Sequence, residues 1–221
     1  MKRSLKEWLV RLAILAAGLA VAHFGVTLFL LTDLGSDPFN VLIQGLYRTL
    51  ERLTGLAFLT HGRVHAAVSL LIIAALLAAD KSYVKAGTLV CMVCGGPIID
   101  VFTALLSPLA LDQASLWIRV PVLALGCVIL ACGMTAVIKS DAGTGPNDLV
   151  AVVLSDKTGI RFAVMRVTVD ACFVAAGWAM GGTFGAGTVI CALLVGPVAG
   201  VFLPLNGKLV NRIVAAAMKD K

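Results

Sequence analysis

Long apolar runs separated by short polar clusters set the pattern of this chain. Six runs stand out, over Trp8–Leu31, Val64–Ala79, Ala86–Leu111, Leu116–Ile138, Phe162–Met180 and Ala186–Leu205. Each is close to the roughly 20 apolar residues that a helix needs to cross a bilayer core. The pattern predicts six transmembrane helices. The first run follows Lys2, Arg3 and Lys6 and contains Ala20-Val21-Ala22, as a secretory signal would. It continues to Leu31, longer than a signal core, and is read as a retained helix. Two shorter apolar segments, Pro38–Leu50 and Pro146–Ser155, each follow a loop rich in glycine that ends in proline. They are too short to span at 1.5 Å per residue, and are expected as re-entrant half-helices or as helices along the interface. Residues 206–221 read as a cytoplasmic interfacial tail, with Leu209, Val210, Ile213 and Val214 facing lipid.

The pattern repeats. Residues 85–102 and 185–202 align without gaps, with identities at Ala86/Ala186, Gly87/Gly187, Thr88/Thr188, Cys91/Cys191, Gly96/Gly196, Pro97/Pro197, Val101/Val201 and Phe102/Phe202. Earlier in each half, Asp33-Leu-Gly-Ser-Asp-Pro38 aligns with Asp141-Ala-Gly-Thr-Gly-Pro146. Two matching blocks in the same order point to an internal repeat, residues 8–111 and 116–205. Three spans per half is an odd number, so the second half enters from the opposite side. The expected fold is an all-α membrane protein of two inverted three-helix repeats, each with a short half-helix after its Gly-Pro loop. Many secondary transporters are built this way.

Composition narrows the class further. The 221 residues are 60% hydrophobic and only 14% charged, against about 25% charged in soluble domains. Too few charges remain to cover a water-facing surface. The net charge of +6 is read as helix orientation rather than nucleic-acid binding, because basic residues collect in cytoplasmic loops. With both termini inside, the outer segments carry only Arg48, Arg52, Arg63 and Arg119 of the 18 Lys and Arg. The six cysteines lie in or beside apolar runs. Cys91 and Cys94 form a C-x-x-C, but no second pair completes a metal site, so small packing residues are expected. No metal and no cofactor is expected.

Candidate chemistry concentrates at the glycine-proline pairs and at buried charge. Gly96-Pro97 and Gly196-Pro197 stand near mid-membrane in the third and sixth runs. Proline removes a helical hydrogen bond and glycine leaves the backbone open to approach, so the freed groups either line a substrate site or merely kink the helix. At the loops, Asp37 is placed to cap a helix starting at Pro38, and Thr144 or Asp148 one starting at Pro146. Free amides there could receive an anion, although Asp33, Asp37, Asp141 and Asp148 favour a cation, a zwitterion or simple capping. Asp170 lies within the fifth run with Arg166 one turn before it. That spacing allows an internal ion pair, and either proton or cation coupling or helix packing follows from it. Asp100 follows Pro97 by three residues, with Gly200 at its repeat position. His23 is expected as a packed polar residue and His65 near the outer interface.

Gly143-Thr-Gly-Pro-Asn-Asp148, Thr158-Gly159, Arg166, Asp170, Gly177-Trp178, Gly181-Gly182, Gly185, Gly187-Thr188 and Gly196-Pro197 together resemble the bacterial YczE/YyaS/AitT/YhjA membrane proteins. These are similar in turn to the broader YitT-type family. Leu34-Gly-Ser-Asp-Pro-Phe39 resembles their other Gly-x-x-Pro-aromatic element, and Asn147 departs from the aromatic often found after the second proline. The resemblance covers nearly the whole chain. It implies a multi-pass protein of the bacterial inner membrane and brings no reaction with it.

Function classes follow from these features. The leading expectation is a small transporter or permease for a small solute or ion, bound near the paired Gly-Pro breaks. The alternative is a non-catalytic membrane subunit, a substrate-capture or regulatory partner, against which the internal repeat argues mildly. An enzyme is not expected, since no nucleophile, base and orienting group can be assembled. The bilayer is the expected partner, nucleic acid is not, and a homo-oligomer stays open.

Overall fold

A computed structural model describes residues 4–56, 58–160 and 162–219, without the surroundings of Ser82, Phe162, Ala163, Arg166, Ala192 and Gly196. All regular structure among the described residues is helical. The α-helices are α1 (Leu5–Thr32), α2 (Pro38–Thr54), α3 (His61–Ala79), α4 (Ala86–Leu106), α5 (Leu116–Ser140), α6 (Pro146–Thr158), α7 (Phe162–Ala179) and α8 (Ala186–Lys219), with short 3-10 turns between α3 and α4 and between α4 and α5.

Local signals explain the boundaries. Ser4 caps α1 by accepting from the amide of Glu7, and Asp37 caps α2 by accepting from Asn40, with Pro38 at the first helical position. α1 and α5 both end on an aspartate in the left-handed region, Asp33 at φ 47° and Asp141 at φ 54°.

α1 and α5 form the central pair and run antiparallel. Gly18 meets Gly133 and Val137, while Gly25 meets Gly126 and Leu130. A Cβ at Gly133 would stand 2.2 Å from the amide nitrogen of Ala22. Small residues at the crossing let the two backbones touch, as membrane helices require when no hydrophobic effect drives them together. α4 packs on α1 and α8 on α5, α2 lies against α7, and α3 touches α6. Each half is therefore completed by elements of the other.

Two apolar clusters mirror each other across this pair. One gathers Leu15, Leu19, Cys91, Val137 and Ala142. The other gathers Leu123, Cys127, Cys191 and Phe29, with Leu34 against it. When the loop alignment is extended back along α1 and α5, these are the same positions in the two halves.

The outward surface is apolar. Trp117 is 90% exposed, and Leu71 and Leu193 are each 69% exposed. Contiguous exposure on this scale fits lipid contact rather than water.

Span number and tail differ from expectation. Among the described residues four helices are long and apolar enough to cross a membrane, Leu5–Thr32, His61–Ala79, Ala86–Leu109 and Leu116–Ser140. A fifth follows if Ala186–Val195 and Pro197–Lys219, bent by 42°, count as one span. The apolar stretch of α7, Val167–Ala179, is shorter. The tail is not a separate interfacial helix, because α8 continues through Pro204 to Lys219. Leu209 and Ile213 are exposed as expected, but Val210 and Val214 are buried. The cause is helical spacing from Asn206. Its Nδ2 donates to the Cys132 carbonyl at 2.9 Å and to Thr135 Oγ1 at 2.7 Å, fastening that face of α8 to α5.

Candidate functional site

The two Gly-rich loops dock crosswise. The Leu34 carbonyl accepts from the Gly187 amide at 2.8 Å, and the Ala142 carbonyl accepts from the Gly87 amide at 3.0 Å. Thr188 Oγ1 accepts from the Ser36 amide at 3.3 Å, and Thr88 Oγ1 from the Thr144 amide at 3.4 Å. Gly35 is obligatory here. Its φ of 122° suits glycine, and a Cβ would stand 2.6 Å from both the amide nitrogen and Oγ1 of Thr188. The loops thus spend their polar groups on the opposite half. Asp37 accepts from Asn40 Nδ2 at 2.8 Å as well as capping α2. At α6 the N-cap is Gly145, which has no side chain to cap with, and Asp148 stands in the first turn. The expected side-chain cap from Thr144 falls one residue too early.

The first glycine-proline pair is not an open break. α4 stays helical through Pro97, whose ring is exposed on the outer side, as is Pro197 on α8. Gly96 instead lets α4 and α3 cross closely, where a Cβ would stand 2.0 Å from the Gly62 carbonyl oxygen. Gly196 lies outside the residues whose surroundings are described, and so does Arg166. Asp170 is half-buried on α7.

Asp100 reaches across that crossing to the start of α3. It accepts from Thr60 Oγ1 at 2.7 Å and from the Gly62 amide at 2.9 Å. A carboxylate at a helix N-terminus also meets the positive end of the helix dipole. Asp100 is therefore anchored as a cap supplied by a neighbouring helix.

Beside this cap lies a polar interior that the sequence only partly signalled. Its centre is the row His61, His65 and Ser69, spaced one turn apart on one face of α3. Asn40 donates to Asp37, which leaves its Oδ1 to accept from His61 Nε2 at 2.9 Å. His23 Nδ1 lies 2.9 Å from the Leu19 carbonyl and must donate to it, so neutral His23 carries a bare Nε2. The His23 and His65 rings meet edge to face at 5.6 Å. Phe39 packs on His65 at 5.3 Å and on Phe173 at 5.5 Å. Both imidazoles abut Gly95, where a Cβ would stand 2.9 Å from His23 Nε2 and 3.0 Å from His65 Cε1. His65 Nδ1 and Ser69 Oγ are buried without a hydrogen-bond partner. His65 is 6% exposed and is enclosed by the bundle, four residues into α3.

The second half lacks this interior, because Val195 and Gly200 stand where Gly95 and Asp100 stand in the first. Two clefts of about 300 and 260 Å³ open elsewhere, where the second loop meets α4, and share the Lys85–Asp141 pair at 3.4 Å. Nearby, Tyr83 donates to Asp156 at 3.0 Å, a bond that raises its phenol above the ordinary range. Among the described residues no group of three or more His, Cys, Asp or Glu is placed to hold a metal ion.

Apolar helices packed through glycine crossings, with imidazoles enclosed among them, define a multi-pass helical membrane protein. The chain belongs to the family of unknown function DUF6198, whose family model matches residues 9–204. It is 28% identical to the uncharacterized membrane protein YczE of Bacillus subtilis, over 95% of this chain and 93% of that one. An uncharacterized protein of Haemophilus influenzae is 25% identical over 90% of this chain and 85% of its own. No solved structure matches the chain. The resemblance to the YczE group drawn from the glycine and proline positions is borne out.

Proposed function

We propose that the protein is a permease for a small solute or ion, with its binding region in the polar interior that backs onto Gly95-Gly96-Pro97 of α4. The observation that carries this is the pair of buried, unbonded polar atoms, His65 Nδ1 and Ser69 Oγ, one turn apart on an apolar helix. Leaving such a group unpaired costs about 1–3 kcal/mol, and ionisable side chains at membrane depth mark solute or ion paths. Asp100 and Asp170 belong to the same polar route.

The proposal includes the inverted repeat. It is supported by the antiparallel α1–α5 pair, by the crosswise loop contacts and by the matching apolar clusters. Gly196-Pro197 serves as the hinge of the second half, where α8 bends by 42°. Ser4 Oγ lies 3.6 Å from Met218 Sδ, which brings both chain ends to one face. The excess of basic residues assigns that face to the cytoplasm of a bacterial plasma membrane. No enzymatic role is assigned.

Purified protein in liposomes, challenged with inorganic ions, amines and carboxylates on a solid-supported membrane, tests the proposal. A solute-dependent current that Asp170→Asn abolishes or uncouples is the expected result. Silence toward every class, together with co-purification of a stoichiometric membrane partner, would identify a non-transporting subunit instead.

A further inference from the structure

The polar interior has a chemistry more specific than that of a generic solute site. It holds all three histidines of the chain. Its groups are imidazoles, an amide, hydroxyls and the carboxylates of Asp37 and Asp100, and the clefts of about 300 and 260 Å³ lie elsewhere. A proton is the ligand that an imidazole nitrogen takes up with no further room and no metal cage. His23 is held by its bond to Leu19 in the form whose Nε2 lone pair is free, and that nitrogen and His65 Cε1 both lie within about 3 Å of where a Cβ on Gly95 would stand. His65 in turn carries a buried Nδ1 with no bond.

We propose that His23 and His65 form a one-proton site over Gly95, which couples proton movement to the permease. The coupling rests on the permease assignment; the proton site itself does not. A proton delivered from water forms one N–H bond to an imidazole nitrogen of the pair. The product is one imidazolium facing one neutral imidazole, and release breaks the same N–H bond. A second proton is opposed by like charge at a ring separation of 5.6 Å.

The surroundings fit this assignment. α1 contributes His23 alone at this level. α2 contributes Asn40 backed by Asp37, and further along Arg48, which is held by Asp33 at 3.2 Å. α3 contributes His61 one turn from His65, at the end of the helix nearest the membrane face, while Arg63 turns away to the Phe58 carbonyl. α4 contributes Asp100, bonded to Thr60 and Gly62. α7, packed on α2, carries Asp170. His61, His65 and Ser69 form a stair that runs about 12 Å along α3 at 1.5 Å per residue. It gives a proton a route from the Asp100 cap to mid-helix.

The test is a pH titration of full-length protein in lipid nanodiscs, with the histidine ring nitrogens labelled with ¹⁵N. Three histidines give a spectrum that single variants can assign. His23 is expected in its Nδ1–H form at alkaline pH. On acidification His23 and His65 are expected to respond at one shared midpoint. His23→Gln is expected to move the His65 midpoint by about one pH unit or more, the signature of coupled groups. Gly95→Ala keeps both rings but forces them apart, and is expected to split the shared midpoint. Separate midpoints in the wild type overturn the site, as does a His65 midpoint indifferent to His23→Gln. So does the absence of protonation down to acid unfolding. The wild-type titration decides the matter even if a variant fails to fold. Liposomes loaded with the pH dye pyranine separate the two proposals. Joint titration without any solute-dependent pH change refutes the permease and leaves the proton site standing. Separate midpoints refute the site whatever the liposomes do.

Discussion

Arg119, in the first turn of α5, donates from its Nε to the carbonyl of Thr32, the last residue of α1, at 2.8 Å. The same relationship occurs at the other end of the helix pair. There Arg11 donates to the carbonyl of Ser140, the last residue of α5, at 3.1 Å. Each long helix thus has a C-terminal carbonyl closed by a cation from its antiparallel neighbour. Charge and donor both oppose the negative end of the helix dipole.

Arg119→Ala is therefore expected to lower stability by about 1–2 kcal/mol, read as a fall in the thermal midpoint in detergent. Arg119→Gln keeps a donor without the charge and should recover part of the loss. Equal stability of all three proteins would show that the contact is a surface accident.

Gly35 and Gly55 offer a controlled comparison of backbone strain. Both have positive φ, at 122° and 61°, but a Cβ at Gly55 meets nothing within 4 Å while one at Gly35 strikes Thr188. Gly55→Ala is expected to cost about 1 kcal/mol. Gly35→Ala is expected to cost clearly more, and to loosen the dock of the first loop on α8 as faster amide hydrogen exchange at Ser36 and Gly187.

Asp100→Asn separates capping from coupling. The amide cannot accept from both Thr60 and Gly62 with its two terminal atoms, so one donor at the start of α3 loses its bond. A loss of about 1–3 kcal/mol is expected, with fraying of the first turn of α3 in hydrogen exchange. Retained stability would mean that the carboxylate is not what holds that turn.

Sidedness is open to cysteine labelling in a background freed of the six native cysteines. Lys157 donates to the Ala79 carbonyl at 3.3 Å and Tyr83 pairs with Asp156, so the α3–α4 turn and the end of α6 share a face. Lys81→Cys and Lys157→Cys are expected to react with an impermeant maleimide from the same side, and Gly55→Cys from the other. Opposite labelling of the first two would refute the inverted arrangement.

Much of this was legible in the chain, and its misses share a cause. The repeated Asp-x-Gly-x-x-Pro loops were visible because their glycines and prolines act locally on backbone geometry. Asp37 was a readable cap for the same reason. Arg119 reads as a marker of topology, because nothing local says that it, like Arg11, faces the end of another helix. His61 gives no signal by itself, and only its spacing with His65 and Ser69, at one turn each, hints at a polar face on α3. Val210 and Val214 were turned to lipid because apolar residues on a tail look alike until Asn206 shows which face meets α5. Pro97 suggested an open break, whereas its ring faces outward and Gly96 beside it makes the contact.

Sequence alone determined the membrane class and the helices. Those follow from local rules, since hydrocarbon demands long apolar runs and a helix satisfies its own backbone bonds within a few residues. Tertiary structure alone decided which polar groups meet. Gly62, Gly95, Gly96 and Gly133 let backbones approach closely enough to enclose three imidazoles and a carboxylate, and to exchange loops between halves. Such encounters depend on the distances between helices far apart in the chain, which no local pattern of apolar and polar residues encodes.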